Sequence, residues 1–212
     1  MSKKPSESSG RGREKLTPRA AFDDAYYGRY YESDVTRVYG HAEQEKLALG
    51  IVSLASYWGL EVRTVLDVGA GTGQMRAVFG RRWPHIKYVA TESSAFACQR
   101  YGLDRLDITE ERWNRAFDLV ICQGVLPYLP NDGVTKAIAN IATMAAGFLY
   151  VESITKKDIR DVVDKKKTDL AVFARRGAFY ESRLQKPFLK LGAGMYYTRK
   201  GTLTFYELET SR

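Results

Sequence analysis

The sequence has few of the residues that would indicate a disulfide framework or a metal centre. It contains two cysteines, Cys98 and Cys122, and two histidines among 212 residues. Both cysteines lie in apolar segments without metal-ligand spacing, so we interpret them as buried thiols of a reducing compartment. No apolar run approaches the roughly 20 residues of a membrane-spanning helix, and residues 1–20 lack the apolar stretch of a secretory signal. These absences predict a cytoplasmic protein with no metal site and no membrane partner.

The positive charge is concentrated in two segments. The formal net charge is +8; residues 1–20 carry six basic against two acidic residues, and residues 156–176 carry eight against four. Residues 1–20 are too polar to bury a core, so we predict a disordered basic tail there. The second segment alternates in sign, which is more typical of a solvated helix face than of an anion site. Nucleic acid is therefore an alternative partner that we do not favour. The sequence does not indicate an oligomeric state.

Aliphatic runs and helical patterns alternate over residues 21–212, which predicts a single domain. Strand-like segments are VRTVLDVG, IKYVATE, LDRLDIT, FDLVICQGV, GFLYVESI, AGMYYTR and TLTFYELE, the last two joined by Lys200-Gly201. Helix-like segments are HAEQEKLALGIVSLASYWG, TGQMRAVFGRRW, SAFACQRYG, GVTKAIANIATMAA and most of 155–186. Asn131 or Asp132 could cap the fourth of these helices. This order predicts an α/β, doubly wound, mainly parallel sheet with a C-terminal antiparallel hairpin.

A glycine-rich loop follows the first predicted strand, in TVLDVGAGTGQM. Its residues are Gly69, Ala70, Gly71, Thr72 and Gly73. Glycine allows the backbone to turn tightly and to approach a ligand without a Cβ clash. Gln74 stands where a dinucleotide loop has its final glycine, and the Gly-Lys-Ser/Thr of a phosphate loop is missing. The loop therefore predicts a nucleotide-type ligand of a different kind.

Three acidic residues stand at the ends of neighbouring strands. Asp67 lies at the end of the first strand, where open α/β sheets bind ligands. Glu92 ends the second strand, where an acid can accept from both hydroxyls of a ribose. Asp107 follows in LDRLDIT, where a carboxylate can accept from an adenine amine. A surface role would be a fair interpretation of Glu92 or Asp107 alone, but both stand at the expected distance from the glycine loop.

Four motifs in order, VLDVGAGTG, ATESS, LDRLDIT and FDLVICQGVLPYLP, resemble the class I S-adenosylmethionine-dependent methyltransferases over about residues 45–208. The resemblance implies a Rossmann-like, seven-stranded fold with S-adenosylmethionine as the cofactor. The loop would lie against the amino-acid part of the cofactor, Glu92 would hold the ribose, and Asp107 would hold the adenine amine. The cofactor-binding residues that the resemblance implies are Asp67, Gly69, Ala70, Gly71, Thr72, Gly73, Glu92, Ser93, Asp107, Ile108, Gln123 and Gly124.

The segment QGVLPYLP after the fourth strand bears on the methyl acceptor. It departs from the Asn/Asp-Pro-Pro-Tyr stretch of enzymes that methylate nucleobase amines, and resembles the small-molecule branch of the family. Tyr128 stands where that branch often has histidine, and it could orient a nucleophile, contact a cation or simply pack. We predict methyl transfer to an oxygen or nitrogen of a small molecule, with Tyr128 as the catalytic candidate. The alternatives are an RNA or protein acceptor, and a non-catalytic cofactor-binding scaffold.

Two segments are expected to cover the site. In residues 21–60, the resemblance implies a lid before the first helix, with Tyr30 over the sulfonium and Arg37 paired with the cofactor carboxylate. The alternative is that the tyrosines of this segment pack one helix face on the domain. Residues 155–192 form the connection that often covers the substrate in this family.

The aromatic and basic residues of this connection are Phe173, Arg175, Arg176, Phe179, Tyr180 and Arg183. They could form a cationic, aromatic cover for an anionic or aromatic acceptor. We favour instead an amphipathic helix with its phenylalanines inward and its arginines in water.

Overall fold

The computed structural model describes residues 22–37 and 39–210. The predicted basic tail, residues 1–20, lies outside the described residues. Within them, no helix is both long and apolar enough to cross a membrane.

Helices and strands alternate along most of the described chain. The strands are β1 (Thr64–Val68), β2 (Lys87–Glu92), β3 (Asp104–Arg105), β4 (Phe117–Gln123), β5 (Ala145–Glu152), β6 (Phe188–Gly192) and β7 (Met195–Thr198). The helices are α1 (Asp24–Tyr27), α2 (His41–Tyr57), α3 (Gln74–Arg82), α4 (Ala95–Tyr101), α5 (Asn131–Met144), α6 (Lys156–Asp161) and α7 (Gly177–Leu184). A π-helical turn covers Gly28–Glu32, and 3₁₀ turns cover Leu126–Tyr128 and Glu207–Glu209.

The strands form one seven-stranded sheet in the order β3-β2-β1-β4-β5-β7-β6. The first five strands are parallel, and β7 pairs antiparallel with both β5 and β6. The chain winds outward from β1 in both directions, so the carboxyl ends of β1 and β4 flank the topological switch point, where α/β sheets bind ligands. The prediction of a doubly wound, mainly parallel sheet with a C-terminal antiparallel hairpin is confirmed.

Strand β1 is buried on both faces of the sheet. Val65 packs with residues of α2 and α3, and Leu66 packs with residues of α5. Neither side chain is accessible to solvent. This double burial explains why the strand reads as a continuous aliphatic run rather than as an alternating pattern.

Three local predictions are wrong. The hairpin turn is Ala193-Gly194, both with positive φ, and not Lys200-Gly201. The segment TLTFYELE forms no strand; its aromatic signal reflects Phe205, whose ring packs edge-on against Trp58 and Phe148. Residues 162–176 are not helical.

The predicted N-cap of α5 is also wrong, because the Asn131 side chain forms its hydrogen bond elsewhere. Pro130 is the N-cap residue, and neither Asn131 nor Asp132 caps the helix. Asn131 Oδ1 instead accepts a hydrogen bond from Arg175 Nε at 2.9 Å. Arg175, 44 residues away in sequence, therefore binds the side-chain oxygen that the sequence analysis expected to cap the helix.

Candidate active site

The carboxyl ends of four neighbouring strands border a crevice with two adjoining cavities. The larger measures about 190 Å³ and the smaller about 80 Å³. Polar side chains stand at or next to these strand ends, in sheet order Glu92, Asp67, Gln123 and Glu152. Residues that line both cavities are Tyr26, Tyr31, Gly69, Gln123, Gly124 and Tyr128. The crevice therefore lies where the sheet topology predicts a ligand.

The glycine loop has a backbone that other residues would strain. Gly69, Gly71 and Gly73 have φ values of +70°, +60° and +76°. A Cβ on Gly71 would lie 2.6 Å from the ring of Tyr31, and one on Gly69 would clash with Val125. The turn and the close packing together require glycine. Ala70 anchors the loop to β2, because its N–H donates to the Thr91 carbonyl at 2.8 Å.

Asp67 is a buried acid beside this loop. Its side chain is 4% exposed, lines the larger cavity and accepts a 2.5 Å hydrogen bond from the Tyr88 hydroxyl. Burial raises the pKa of Asp67 to about 7, against the opposing effect of the Tyr88 hydrogen bond. Because that value lies near neutrality, a cation bound beside Asp67 would favour its ionised form.

Glu92 and Asp107 line the smaller cavity together with Ser93 and Ile108. Glu92 accepts from the Ser93 N–H at 2.7 Å and from the Gly71 N–H at 3.2 Å, so it ties β2 to the glycine loop. Burial raises the pKa of Glu92, and these backbone hydrogen bonds oppose the rise. Asp107 receives its hydrogen bonds from Thr109, both on Oδ1.

Ile108 is held in place by α5. Its side chain is buried, and its carbonyl accepts from Asn140 Nδ2 at 2.8 Å. The backbone after β3 is therefore fixed at the wall of the smaller cavity.

Tyr128 lies at the junction of the N-terminal segment and the connection after β5. Its hydroxyl lies 3.0 Å from the Tyr26 hydroxyl and donates to Asp169 Oδ2 at 3.3 Å. Burial raises the pKa of Tyr26 and of Tyr128. Both hydroxyls therefore stay protonated at neutral pH, where they can donate or accept hydrogen bonds but cannot act as phenolate bases.

The residues expected in the lid occupy different positions. Tyr30 lines the larger cavity. Arg37 pairs with Asp34 at 2.6 Å and lines a separate recess at the start of α3, together with His41 and Gly73. The structure thus brings Tyr30 to the crevice and places Arg37 beside it.

The connection after β5 covers the site with residues that the sequence did not single out. Val163, Thr168, Asp169 and Val172 line the larger cavity, and the six aromatic and basic residues considered above line neither cavity. Arg175 is only 7% exposed, so the interpretation that the arginines lie in water is wrong for it. Arg175 precedes α7 and lies on no helix, whereas Phe179, Tyr180 and Arg183 lie on α7.

Arg175 instead clamps the loop that carries Tyr128. Its guanidinium donates to the Leu126 carbonyl at 3.3 Å and also to the Leu129 carbonyl. It lies over the rings of Phe173 and Phe179 at 5.1 and 4.8 Å. Leu126 begins the 3₁₀ turn and Leu129 follows it, and Arg175 supplies both carbonyls with a donor from a distant segment. The Leu126 carbonyl also accepts from the Leu129 N–H at 3.3 Å.

The polar residues of the larger cavity that sequence reasoning missed include Gln44, Glu152 and Asp169. Glu152 could have been found, because it ends its strand as Glu92 does. Gln44 and Asp169 carry no local signal, since one is a polar residue in a helix and the other an acid in a charged segment.

Comparison with known proteins decides the family. Residues 39–197 match the family model described as a methyltransferase domain, which covers well over half of the chain. The chain belongs to this family. The resemblance to S-adenosylmethionine-dependent methyltransferases is thereby confirmed, with S-adenosylmethionine as the cofactor of this methyltransferase. No curated protein sequence matches it significantly.

Solved structures share the fold of this methyltransferase. N-methyltransferase NodS from Bradyrhizobium japonicum WM9, bound to S-adenosyl-L-homocysteine, is 19% identical, with 75% of this chain and 85% of NodS covered and a TM-score of 0.51. DesVI from Streptomyces venezuelae is 18% identical, with 73% and 91% covered and a TM-score of 0.55. The PH0226 protein from Pyrococcus horikoshii OT3 is 13% identical, with 83% and 97% covered and a TM-score of 0.58. At these identities the likeness shows the fold alone.

Proposed function

We propose that this methyltransferase transfers the methyl group of S-adenosylmethionine to an oxygen or nitrogen of a small molecule. The observation that carries this proposal is the larger cavity, which extends from the glycine loop to the connection after β5. Tyr30 and Tyr39 border it from the N-terminal segment, and Val163 and Val172 from the connection. A site lined from both segments suits a small acceptor.

The residues present fit the cofactor in kind and position. In our assignment the smaller cavity takes the adenosine, with Glu92 accepting from the ribose hydroxyls and Asp107 from the adenine amine. Ser93 and the Ile108 backbone complete that wall. The amino-acid part lies along the glycine loop (Gly69 to Gly73), where no Cβ obstructs it and Asp67 faces its ammonium group.

The remaining assigned residues border the reacting centre. Gln123 and Gly124 line the crevice between the two cavities, and Tyr30 covers it. Arg37 stays a prediction as the partner of the cofactor carboxylate, because it would have to exchange its ion pair with Asp34.

The cofactor supplies an activated methyl group, so the role of the protein is to align the acceptor with that methyl group. Tyr128 positions the acceptor through its hydroxyl, which the hydrogen bonds with Tyr26 and Asp169 orient. The surrounding aromatic rings exclude water. NodS is by name an N-methyltransferase, so this fold accommodates transfer to nitrogen.

A methyl-release assay tests this proposal. The full-length protein is incubated with S-adenosylmethionine and, separately, with pooled metabolites, RNA and protein, and S-adenosylhomocysteine is quantified. We expect turnover with the metabolite pool. Turnover only with RNA or protein would overturn the small-molecule acceptor. Tight cofactor binding without turnover in any pool would instead favour a scaffold.

The two cysteines support a cytoplasmic location as part of the same proposal. Cys98 and Cys122 are both free thiols; Cys122 is buried in the core, whereas Cys98 is half-buried, so the prediction that both are buried is wrong for Cys98. Burial raises the pKa of the Cys122 thiol to about 12, which keeps it unreactive.

A further inference from the structure

The part of the larger cavity away from the glycine loop is acidic and aromatic. Glu152 and Asp169 line it, next to Asp67 on the cofactor side. The tyrosines that line the cavity are Tyr26, Tyr30, Tyr31, Tyr39 and Tyr128. Among the described residues, no lysine, arginine or histidine lines it. Carboxylates and aromatic rings without a basic residue favour a cationic ligand and oppose an anionic one.

Glu152 is oriented by neutral donors. Its carboxylate accepts from the Tyr39 hydroxyl at 2.9 Å, the Tyr150 hydroxyl at 3.2 Å and Gln123 Nε2 at 3.4 Å. Its carbonyl accepts from the Gly124 N–H at 2.9 Å, which ties the end of β5 to the end of β4. Neutral hydrogen bonds fix the position of this carboxylate, and no basic side chain among residues 22–37 and 39–210 forms an ion pair with it.

Asp169 approaches the same cavity from the connection after β5. It is 7% exposed, and it accepts from the Tyr128 hydroxyl at 3.3 Å and from the Ala171 N–H at 2.9 Å. Asp169 therefore adds a second acidic side chain to the lining of this cavity.

Gln44 supplies an independent observation that points to a ligand. Its side chain is 9% exposed and lines the cavity. Its Nε2 donates to Gln123 Oε1 at 3.3 Å, whereas its Oε1 receives no hydrogen bond from the described residues. A buried carbonyl oxygen without a donor is unfavourable, and an N–H group of a ligand would satisfy it.

We propose that the methyl acceptor is a primary or secondary amine, held in its cationic form by Glu152, Asp169 and Gln44 Oε1. This inference rests on the proposed function and narrows the acceptor from oxygen or nitrogen to amine nitrogen. The end of β5 and the connection after it thus select the acceptor by charge, and an anionic cavity replaces the cationic cover considered from the sequence.

The reaction balances in charge and atoms. The bound ammonium first gives one proton to Asp169 or to water. The nitrogen lone pair then forms the new N–C bond while the C–S bond breaks and its electron pair stays on sulfur. Positive charge thereby moves from sulfur to nitrogen, inside a cavity whose carboxylates stabilise it. The methylated ammonium leaves as the product, or loses a proton and reacts again.

A labelling experiment tests the acceptor class. The full-length protein is incubated with methyl-labelled S-adenosylmethionine and a cell extract filtered to small molecules, and the products are separated into cationic, neutral and anionic fractions. RNA and protein are assayed in parallel. We expect the label in the cationic fraction. Label confined to neutral or anionic small molecules would overturn the amine while leaving the proposed function intact. Label in RNA or protein alone, or in no fraction, would refute the proposed function itself.

Matched variants separate the acceptor from the cofactor. Glu152→Gln keeps hydrogen-bonding capacity but removes the charge, and should raise KM for the labelled amine about tenfold or more. Its Kd for S-adenosylhomocysteine, measured by calorimetry, should stay within about twofold of wild type. Glu110→Gln, at an exposed ion pair with Lys136, serves as the charge control. A Glu152→Gln variant that loses affinity for S-adenosylhomocysteine and keeps its KM would assign this carboxylate to the cofactor and overturn the proposal.

Discussion

The two sides of the crevice are built in different ways. On the cofactor side, a glycine loop and two acids follow consecutive strands, and backbone groups hold them: Gly71 and Ser93 donate to Glu92, and Ala70 donates to Thr91. On the acceptor side, side chains from distant segments meet, as in Tyr26, Tyr128 and Asp169. Contacts between consecutive strands, as between Gly71 and Glu92, 21 residues apart, therefore define the cofactor side. The proposed acceptor side depends on contacts between residues 41 and 102 positions apart. Substitutions on the cofactor side should change the affinity for the cofactor. Substitutions on the acceptor side should change the kinetics with the acceptor or the local stability.

Arg175→Ala should have the largest effect, and on stability. Its loss removes the side-chain donor of the Leu129 carbonyl, one of two donors to the Leu126 carbonyl, and its packing on two rings. We expect a loss of about 2–4 kcal/mol in the free energy of unfolding, measured by urea denaturation. Arg176→Ala, at the exposed neighbouring position, should stay within about 0.5 kcal/mol. Equal losses in both variants would mean that Arg175 does not act as a clamp.

Glu92→Ala should cut affinity for S-adenosylhomocysteine sharply, by about 30- to 100-fold. The variant removes the acceptor of the ribose hydroxyls and the link to the Gly71 N–H, each worth about 1–3 kcal/mol for a charged acceptor. Calorimetric titration measures the effect, and Glu111→Ala, at an exposed position, is the control. Unchanged affinity would refute the ribose assignment.

The pKa of Asp67 predicts how cofactor binding depends on pH. With its pKa raised to about 7 by burial, Asp67 is neutral below that pH in the free protein, so affinity for the cofactor ammonium should rise as pH increases towards 7. The expected slope is about tenfold per pH unit below 7, flattening above it. Asp67→Asn should lack this slope.

The same shift affects the stability of the free protein with the opposite sign. An unfolded Asp ionises near pH 4, before the folded one, so stability should fall as pH rises from about 4 to about 7. Thermal unfolding of wild type and Asp67→Asn across this range checks the sign, because other buried acids contribute equally to both proteins. A difference that grows with falling pH in favour of the variant would contradict it.

Tyr128→Phe should have the smallest effect. It removes the hydroxyl that bonds Tyr26 and Asp169 but keeps the ring. We expect kcat for the amine acceptor to fall about three- to tenfold, equivalent to about 1 kcal/mol, with cofactor affinity unchanged. Steady-state kinetics separate kcat from KM. If neither parameter moves, Tyr128 only packs, which is the alternative that the sequence left open.

Local signals in the sequence were sufficient for the fold class and the cofactor side. Val65 and Leu66 are buried on opposite faces of the sheet, so their strand can be recognised as a continuous aliphatic run. The positive φ values of the loop glycines are a property of the local backbone. Glu92 and Asp107 stand at fixed distances from that loop along the chain. The periodicity of apolar residues, the spacing of glycines and the ends of strands are properties of residues that are neighbours in sequence, so they can be recognised without a structure.

The tertiary structure alone decided the acceptor side. The Asn131 side chain accepts a hydrogen bond from Arg175 instead of capping its helix, and the Phe205 ring packs against Trp58 instead of belonging to a strand. In the connection after β5, residues 162–176 between α6 and α7 are not helical. Gln44 and Asp169 reach one cavity from segments more than a hundred residues apart. The burial of a side chain, its hydrogen-bond partners and the charge of the cavity that it lines all depend on which distant segments come into contact. The sequence by itself therefore determined the methyl donor and the fold that binds it, whereas only long-range packing decided that the cavity proposed for the acceptor is lined by Glu152 and Asp169.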